Sequence, residues 1–292
     1  MTLHHAPYSS GPHHSNPTLQ WTYAAHGADA VLAGHDHTYE RILYDEIPYF
    51  VNGLGGKSIY GFGTSVEGSQ FQYNGDYGAM LVEANKTQIL FQFISRDGIV
   101  RDTYTVSPPF SDVAADHWAY TWIKRLYASK ITGGCNTEPL RYCPEQSVTR
   151  AQMAIFLLRS RYGETYQPPP ASGVVFGDVP SAHWAASWIE QLASEHITSG
   201  CGNGNYCPDS PVTRAEMAVL LLRAKNSQSY LPPAASGTIF SDVDLSHWAV
   251  NWIEELSAEA ITGGCATGLY CPEKPVNRAE MAVLLIRTFS LP

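Results

Sequence analysis

The sequence predicts two architectures in one chain: an α/β layer, mostly strands, over residues 1–107, and an all-α body of three repeats over residues 110–292. Three observations lead there. The strings FSDV at 110–113, FGDV at 176–179 and FSDV at 240–243 recur, each followed by HWA, WI, IT, GC, YCP and a VTRAQM, VTRAEM or VNRAEM string, with a period of about 64–66 residues. The first 107 residues read instead as short apolar runs between Gly-rich turns. Pro-rich joints, SPP at 107–109, PPPASG at 168–173 and PPAASG at 232–237, separate the units. They put a domain boundary near 108 and repeats at 110–163, 174–226 and 238–292.

The elements follow in order. Residues 18–27 have the length of one short helix. VLAGHDH at 31–37 reads as a buried strand ending in a polar loop, and 49–53, 78–84, 87–95 and 100–106 read as further strands, with a turn at Asp97-Gly98. A strand, a helix and another strand fit half of an α/β layer. Each repeat then reads as helix, loop, helix. Trp118, Trp122, Ile123 and Leu126 recur at helical spacing, and Gly133 and Gly134 would stop that helix. Thr149 with Gln152, Thr213 with Glu216 and Asn277 with Glu280 have the spacing that caps a second helix; Thr gives a full capping box and Asn can cap. An apolar stripe such as Met217, Leu220 and Leu221 follows.

Composition excludes several classes. The net charge is -9, from 18 basic and 27 acidic residues, with no basic stripe, which argues against nucleic acid as a partner. No apolar run approaches the roughly 18–20 residues that span a bilayer. With 44% hydrophobic residues and only 15% charged, the chain does not match a disordered composition. The six Cys, all after residue 130, form three close pairs: Cys135 and Cys143, Cys201 and Cys207, Cys265 and Cys271. Local disulfides are the simplest of 15 connectivities, and the absence of His in these loops argues against zinc. Each bridge would contribute about 2–3 kcal/mol, and together they indicate an oxidising compartment. Yet Met-Thr-Leu-His-His is no export signal. The expectation is that the natural start lies upstream of Met1.

Seven of 11 histidines fall in the first 37 residues: His4, His5, His13, His14, His26, His35 and His37. Imidazole suits transition metals such as Fe, Zn or Mn. HHAPYSSGPHH at 4–14 with GHDHTYER at 34–41, and YFVNGLGG at 49–56, resembles the C-terminal motifs of calcineurin-like metallophosphoesterases, closest to the purple acid phosphatase branch. The resemblance covers residues 1–107 and implies part of a metallophosphoesterase sandwich. It also implies that His5 and His35 bind the second metal and His37 the first, with His14 contacting phosphate or protonating the leaving group. The implied cofactor is a binuclear centre of Fe with Zn, Mn or Fe, and the implied substrate is a phosphate ester, attacked by a metal-bound hydroxide. The family's earlier motifs, including the bridging Asp, have no counterpart here. Three imidazoles without a carboxylate would bind a metal pair poorly.

Arg150, Arg214 and Arg278 each follow a cap residue, where a cation opposes the helix dipole by about 0.3–1 kcal/mol. Two readings stand: a salt bridge to Asp112, Asp178 or Asp242, or an anion site in which guanidinium grips a carboxylate. The full pattern FSDV–HWA–WI–IT–GC–YCP–VTRAEM resembles S-layer homology repeats, whose usual triplet forms a pseudo-threefold helical body. That resemblance implies anchoring to cell-wall polysaccharide, often pyruvylated, with each Arg meeting the ketal carboxylate. Trp118, Trp184 and Trp248 would line the grooves or the core. The leading expectation is thus a cell-surface, metal-dependent phosphoesterase fragment anchored at the cell wall or S-layer. The alternative is a non-catalytic wall anchor carrying a degenerate phosphoesterase remnant.

Overall fold

β-Branched and aromatic runs build the first unit, Met1–Ala128, of a computed structural model that describes residues 1–24, 26–45, 47–85, 88–226 and 230–291. β1 (Val31–Ala33), β2 (Tyr39–Tyr44), β3 (Ile47–Asn52) and β4 (Ser69–Tyr73) form a mixed sheet in the order β1-β3-β2-β4. β1 runs parallel to β3, and β2 is antiparallel to β3 and β4. β5 (Gly78–Ala84), β6 (Ile89–Ser95) and β7 (Val100–Val106) form an antiparallel meander. The sheets pack through one apolar cluster: Tyr39 and Phe50 meet Phe91 and Phe93, with Tyr39 and Phe93 stacked at 4.1 Å between ring centroids. Arg41 fastens the same join, donating from Nε to Asp102 at 2.8 Å, while the Tyr39 hydroxyl donates to the same carboxylate at 2.9 Å. Val31, Ile42 and Tyr49 belong to a second cluster with Tyr23 and Ala24.

This segment departs from the sequence reading in three ways. The helix expected at 18–27 is only a 3-10 turn, Pro17–Leu19, followed by tight turns in which Trp21 and Tyr23 donate to carbonyls two residues back; Ala25 lies outside the described residues. β1 stops at Ala33 because His35 turns into the left-handed region, with φ 66°. β2 and β4 were not anticipated. β2 carries Glu40 and Arg41 in the middle of a strand, and both are accommodated by specific partners. Glu40, wholly buried, accepts hydrogen bonds from Ser10, Ser69 and Gln72. The strand expected at 87–95 begins at Ile89, with Gln88 ahead of it and Thr87 outside the described residues.

α1 (Tyr120–Ala128) belongs to the first unit, so the units divide at 128/129, beyond the boundary expected near 108. The second unit, Ser129–Leu291, holds α2 (Arg150–Tyr162), α3 (Ala186–Ser194), α4 (Arg214–Lys225), α5 (Val250–Ala258) and α6 (Arg278–Phe289). It is not all-α: β8 (Asn136–Thr137) and β9 (Leu140–Arg141) pair as a short hairpin. The fold as described is mixed, with small sheets and six α-helices. All three expected capping boxes form, including the one on Asn277. α1 does not run to Gly133 and Gly134, and α3 and α5 end equally early. Each ends two residues before a left-handed residue, Lys130, His196 or Ala260, with φ 56–57°.

The three long helices begin on a closed ring. Val148 N donates to Val276 O, Val212 N to Val148 O and Val276 N to Val212 O, all at 2.9 Å, and all three valines are fully buried. One residue pair further on, Arg150 N, Arg214 N and Arg278 N donate to Ser210, Lys274 and Gln146 carbonyls. The orphan amides that a helix start exposes are therefore satisfied by the next repeat in cyclic order. Met153, Leu157, Met217, Leu221, Met281 and Leu285 fill the centre, none of them exposed.

Candidate functional site

The first unit gathers imidazoles at one sheet end. Residues 1–4 extend beside β1: Leu3 N donates to Leu32 O, Leu32 N to Met1 O and Gly34 N to His4 O. This register brings His4 and His5 to the turn after β1, where His35 sits. His4 Nε2 lies 3.1 Å from His35 Nδ1, the His5 and His35 rings are 3.9 Å apart, and the His13 ring lies tilted 4.4 Å from His35. The ligand atoms of His4, His5 and His35 all lie within 4.8 Å of one another. His4 and His35 border a cavity of about 440 Å³ shared with His13, His37 and Tyr60. Desolvation, reinforced by the neighbouring His5, His13 and His4, lowers the His35 pKa and so favours the neutral ring, the form that binds a metal.

Asp36 holds this loop together and is itself buried. It accepts from the Ser9 hydroxyl, from His13 N at 3.0 Å and from His13 Nδ1 at 2.8 Å. Gly53 passes so close that a Cβ there would lie 1.9 Å from the Asp36 carbonyl oxygen. The expected ligands are therefore only partly assembled. His5 and His35 meet, joined by His4. His37 donates from Nδ1 to Ser58 O at 2.8 Å and stacks on Tyr60, outside the three-histidine group. His14 is exposed, with φ 62°, and His13 lines the cavity in its place. No carboxylate belongs to the group, so the donor set fits a single transition-metal ion and not a bridged pair. His4, the neighbour of His5, meets His35 as well, because the residues beside β1 end at the turn that carries His35.

The second unit presents a groove of about 260 Å³. Its walls are the loop Ile197–Gly200, the α4 residues Glu216, Leu220 and Arg223, and the rings of Trp248 and Trp252, with Arg150 at one end. Gly200, at φ 88°, approaches the Asn205 carbonyl so closely that a Cβ would lie 2.2 Å from its oxygen, which closes the loop tightly. Trp118, Trp184 and Trp248 are 60%, 61% and 62% exposed, so the core alternative does not hold for them. The preceding His117, His183 and His247 set each ring: every one accepts from the amide two residues on, at 3.1–3.2 Å, and packs beside its Trp at 5.6–5.8 Å. The core tryptophan is Trp188, one turn further on.

Arg150, Arg214 and Arg278 are 5%, 5% and 3% exposed. Arg150 donates from Nε to Tyr206 O and from Nη1 to Glu216, both at 2.8 Å. Arg214 repeats this with Tyr270 O at 2.7 Å and Glu280 at 3.5 Å, and Arg278 donates from Nε to Tyr142 O at 2.6 Å. Each guanidinium also lies 4.7–4.9 Å over the ring of that tyrosine. Two of the expected aspartate partners, Asp178 and Asp242, feel the charge of Arg150 and Arg214 but spend their hydrogen bonds on backbone amides. Asp178 accepts from the Tyr206 and Cys207 amides, and Asp242 from those of Tyr270 and Cys271. Burial opposes ionisation of both, but these amides outweigh it and hold the carboxyls below their usual range.

Arg223 was not singled out in the sequence, although the LLR and LIR strings place an Arg there in each repeat, at 159, 223 and 287. Its guanidinium lies 5.2 Å over the Trp252 ring. Arg159 has the same relation to Trp188, at 5.4 Å. The cysteines pair locally, Cys135–Cys143, Cys201–Cys207 and Cys265–Cys271, with Cα atoms 6.0 Å apart.

The sequence profile of the S-layer homology domain matches residues 175–218 and 239–282. Among curated relatives, a cellulosome-anchoring protein of Acetivibrio thermocellus is 27% identical over 146 residues, covering 50% of this chain and 32% of its own length. A cell surface protein of Thermoanaerobacter kivui is 29% identical over 191 residues, 65% of this chain and 22% of the relative. S-layer protein EA1 of Bacillus anthracis is 30% identical over 201 residues, 65% of this chain and 21% of the relative. The chain thus spans about a third or less of the length of these relatives. No helix among the described residues is long and apolar enough to cross a membrane. Residues 175–218 and 239–282 thus match the S-layer homology domain, and proteins that carry this domain are associated with the cell surface or the S-layer.

Proposed function

We propose that the chain is a cell-surface anchor whose second unit binds wall polysaccharide. The observation that carries this reading is the exposure of Trp184 and Trp248 in the two S-layer homology segments, each ring held outward by its histidine. Trp248 borders a groove that also holds charge and hydroxyl groups. A pyranose presents an apolar face that stacks on such a ring, while polar groups at the edge select the sugar. The anchoring and S-layer names of the relatives agree with it. The test is sedimentation with cell-wall sacculi of the source organism. Untreated sacculi capture the chain; sacculi stripped of their secondary polysaccharide do not. Equal capture by both would refute the reading.

A second reading concerns the first unit: His4, His5 and His35 hold one transition-metal ion. Three neutral imidazoles at short mutual distance support it. The absence of a bridging carboxylate from the group favours a non-catalytic remnant over two-metal phosphoester hydrolysis. Calorimetry with zinc should give one ion per chain, lost in His35→Ala. Aryl-phosphate hydrolysis by the metal-loaded chain should stay at background; turnover abolished by His35→Ala would restore the phosphoesterase reading.

A further inference from the structure

We propose that His183 and His247 make wall binding pH-sensitive, because they hold Trp184 and Trp248 outward only while their rings are neutral. The proposal rests on the polysaccharide reading and adds a control to it. α3 and α5 start beside Ala185 and Ala249, and neither helix has a side-chain cap at that position. The histidine two residues earlier closes the turn instead. His183 Nδ1 accepts from Ala185 N, and His247 Nδ1 from Ala249 N, both at 3.2 Å. The carbonyls of the same histidines accept from Ala186 N at 2.9 Å and Val250 N at 3.0 Å. Each ring thus acts as an Asn side chain does in an Asx-turn, and the tryptophan is the next residue in that turn. The ring also packs beside the indole, at 5.6 Å for Trp184 and 5.8 Å for Trp248.

The donor in this bond is a backbone amide, so Nδ1 must offer a lone pair. Imidazole is the side chain that gains a proton as pH falls from 8 to 5. The protonated ring carries N–H on both nitrogens. Its Nδ1–H would then point at the N–H of Ala185 or Ala249, and its charge would face the positive end of a helix. The ring has to swing away, and its tryptophan loses the support that sets it. Both histidines are partly exposed, within reach of solvent. Among the described residues, no charged side chain bonds to His183. His247 faces Asp244 on its own loop and Glu273 on the loop before α6, whose carboxylate lies 3.4 Å from Nε2. Glu273 accepts from Nε2–H of the neutral ring, which leaves Nδ1 as the acceptor. Its side chain is 76% exposed, so solvent screens its pull on the protonated ring.

The test is capture of the full chain by untreated sacculi at pH 7.5 and pH 5, beside amide hydrogen exchange. The affinity should fall about 5-fold at the lower pH, the worth of one net amide hydrogen bond. The protection of the Ala185 and Ala249 amides, corrected for intrinsic exchange, should fall with it. In His183→Asn/His247→Asn the side-chain oxygen keeps the turn and does not titrate, so most of the pH dependence of capture and of protection should disappear. His183→Ala/His247→Ala lacks the acceptor and should bind weakly at both pH values. An equal pH response in the Asn variant would place the titration on the polymer and overturn the proposal. So would an unmutated chain whose amide protection ignores pH. Equal capture by stripped and untreated sacculi at pH 7.5 removes the anchoring reading and the proposal with it. Capture that needs the polysaccharide but is indifferent to pH removes the proposal alone.

Discussion

A cation in the first turn of a helix looks misplaced until its partners are seen. Arg150 is stabilised by a carbonyl and a carboxylate of the following repeat, the carboxylate 66 residues on in sequence. The sequence marked Arg150, Arg214 and Arg278 as needing an explanation, because Thr or Asn and Gln or Glu beside them had one in capping. It could not name the partner, since a contact at that separation depends on how the repeats close. The histidines show the same limit. Their clustering was visible, but that His4 joins His5 at His35, and that His13 rather than His14 lines the cavity, depended on strand register and one left-handed turn. Arg150→Ala leaves Glu216 and the Tyr206 carbonyl without their donor. It should cost about 2–3 kcal/mol, less than a fully buried pair because Glu216 is partly exposed, read as a lowered urea midpoint.

Capping boxes were legible at the scale of the element because they are local: four residues contain donor, acceptor and spacing. The helix at 18–27 failed because ten residues are too few to hold a helix without tertiary packing, and Pro17 starts only a 3-10 turn. β2 was hidden by its charges, whose partners Ser10, Ser69, Gln72 and Asp102 lie far along the chain. The loops of the second unit are closed by carboxylates gripping backbone amides: Asp178 and Asp242, and likewise Glu190 on Ser172 and Gly173 and Glu254 on Ser236 and Gly237. Burial raises all four pKa values, but the amides win and the net direction is down. A carboxyl with a folded pKa below its unfolded value, about 3.9 for Asp and 4.3 for Glu, stabilises fully above that value. The contribution is lost as pH falls through the lower folded value. The urea midpoint should therefore drop between pH 5 and pH 3, and less steeply in Asp178→Asn/Asp242→Asn. A midpoint flat over that range would contradict this.

At the scale of the whole molecule, repetition made the second unit the more legible half: a period read from the sequence became a cyclic set of backbone bonds. No repeat completes itself. Val148, Val212 and Val276 each donate to the preceding repeat's carbonyl in cyclic order, and each long helix start donates to the following repeat's loop. Truncation after residue 237 should therefore unfold α2 and α4 together, with loss of far more helical circular dichroism than α5 and α6 contribute. Retention of a sharp unfolding transition by the truncated chain would show that the repeats stand alone.

The claim at the centre is that the outward tryptophans of the repeats make this chain a wall anchor. Titration calorimetry of the full chain with purified secondary wall polysaccharide tests it most directly. Saturable binding is expected, and its loss in Trp118→Ala/Trp184→Ala/Trp248→Ala, with the unfolding free energy within about 0.5 kcal/mol per site of the unmutated chain, since these rings lie outside the core. Unchanged binding by that variant, or no binding by the unmutated chain, would contradict it.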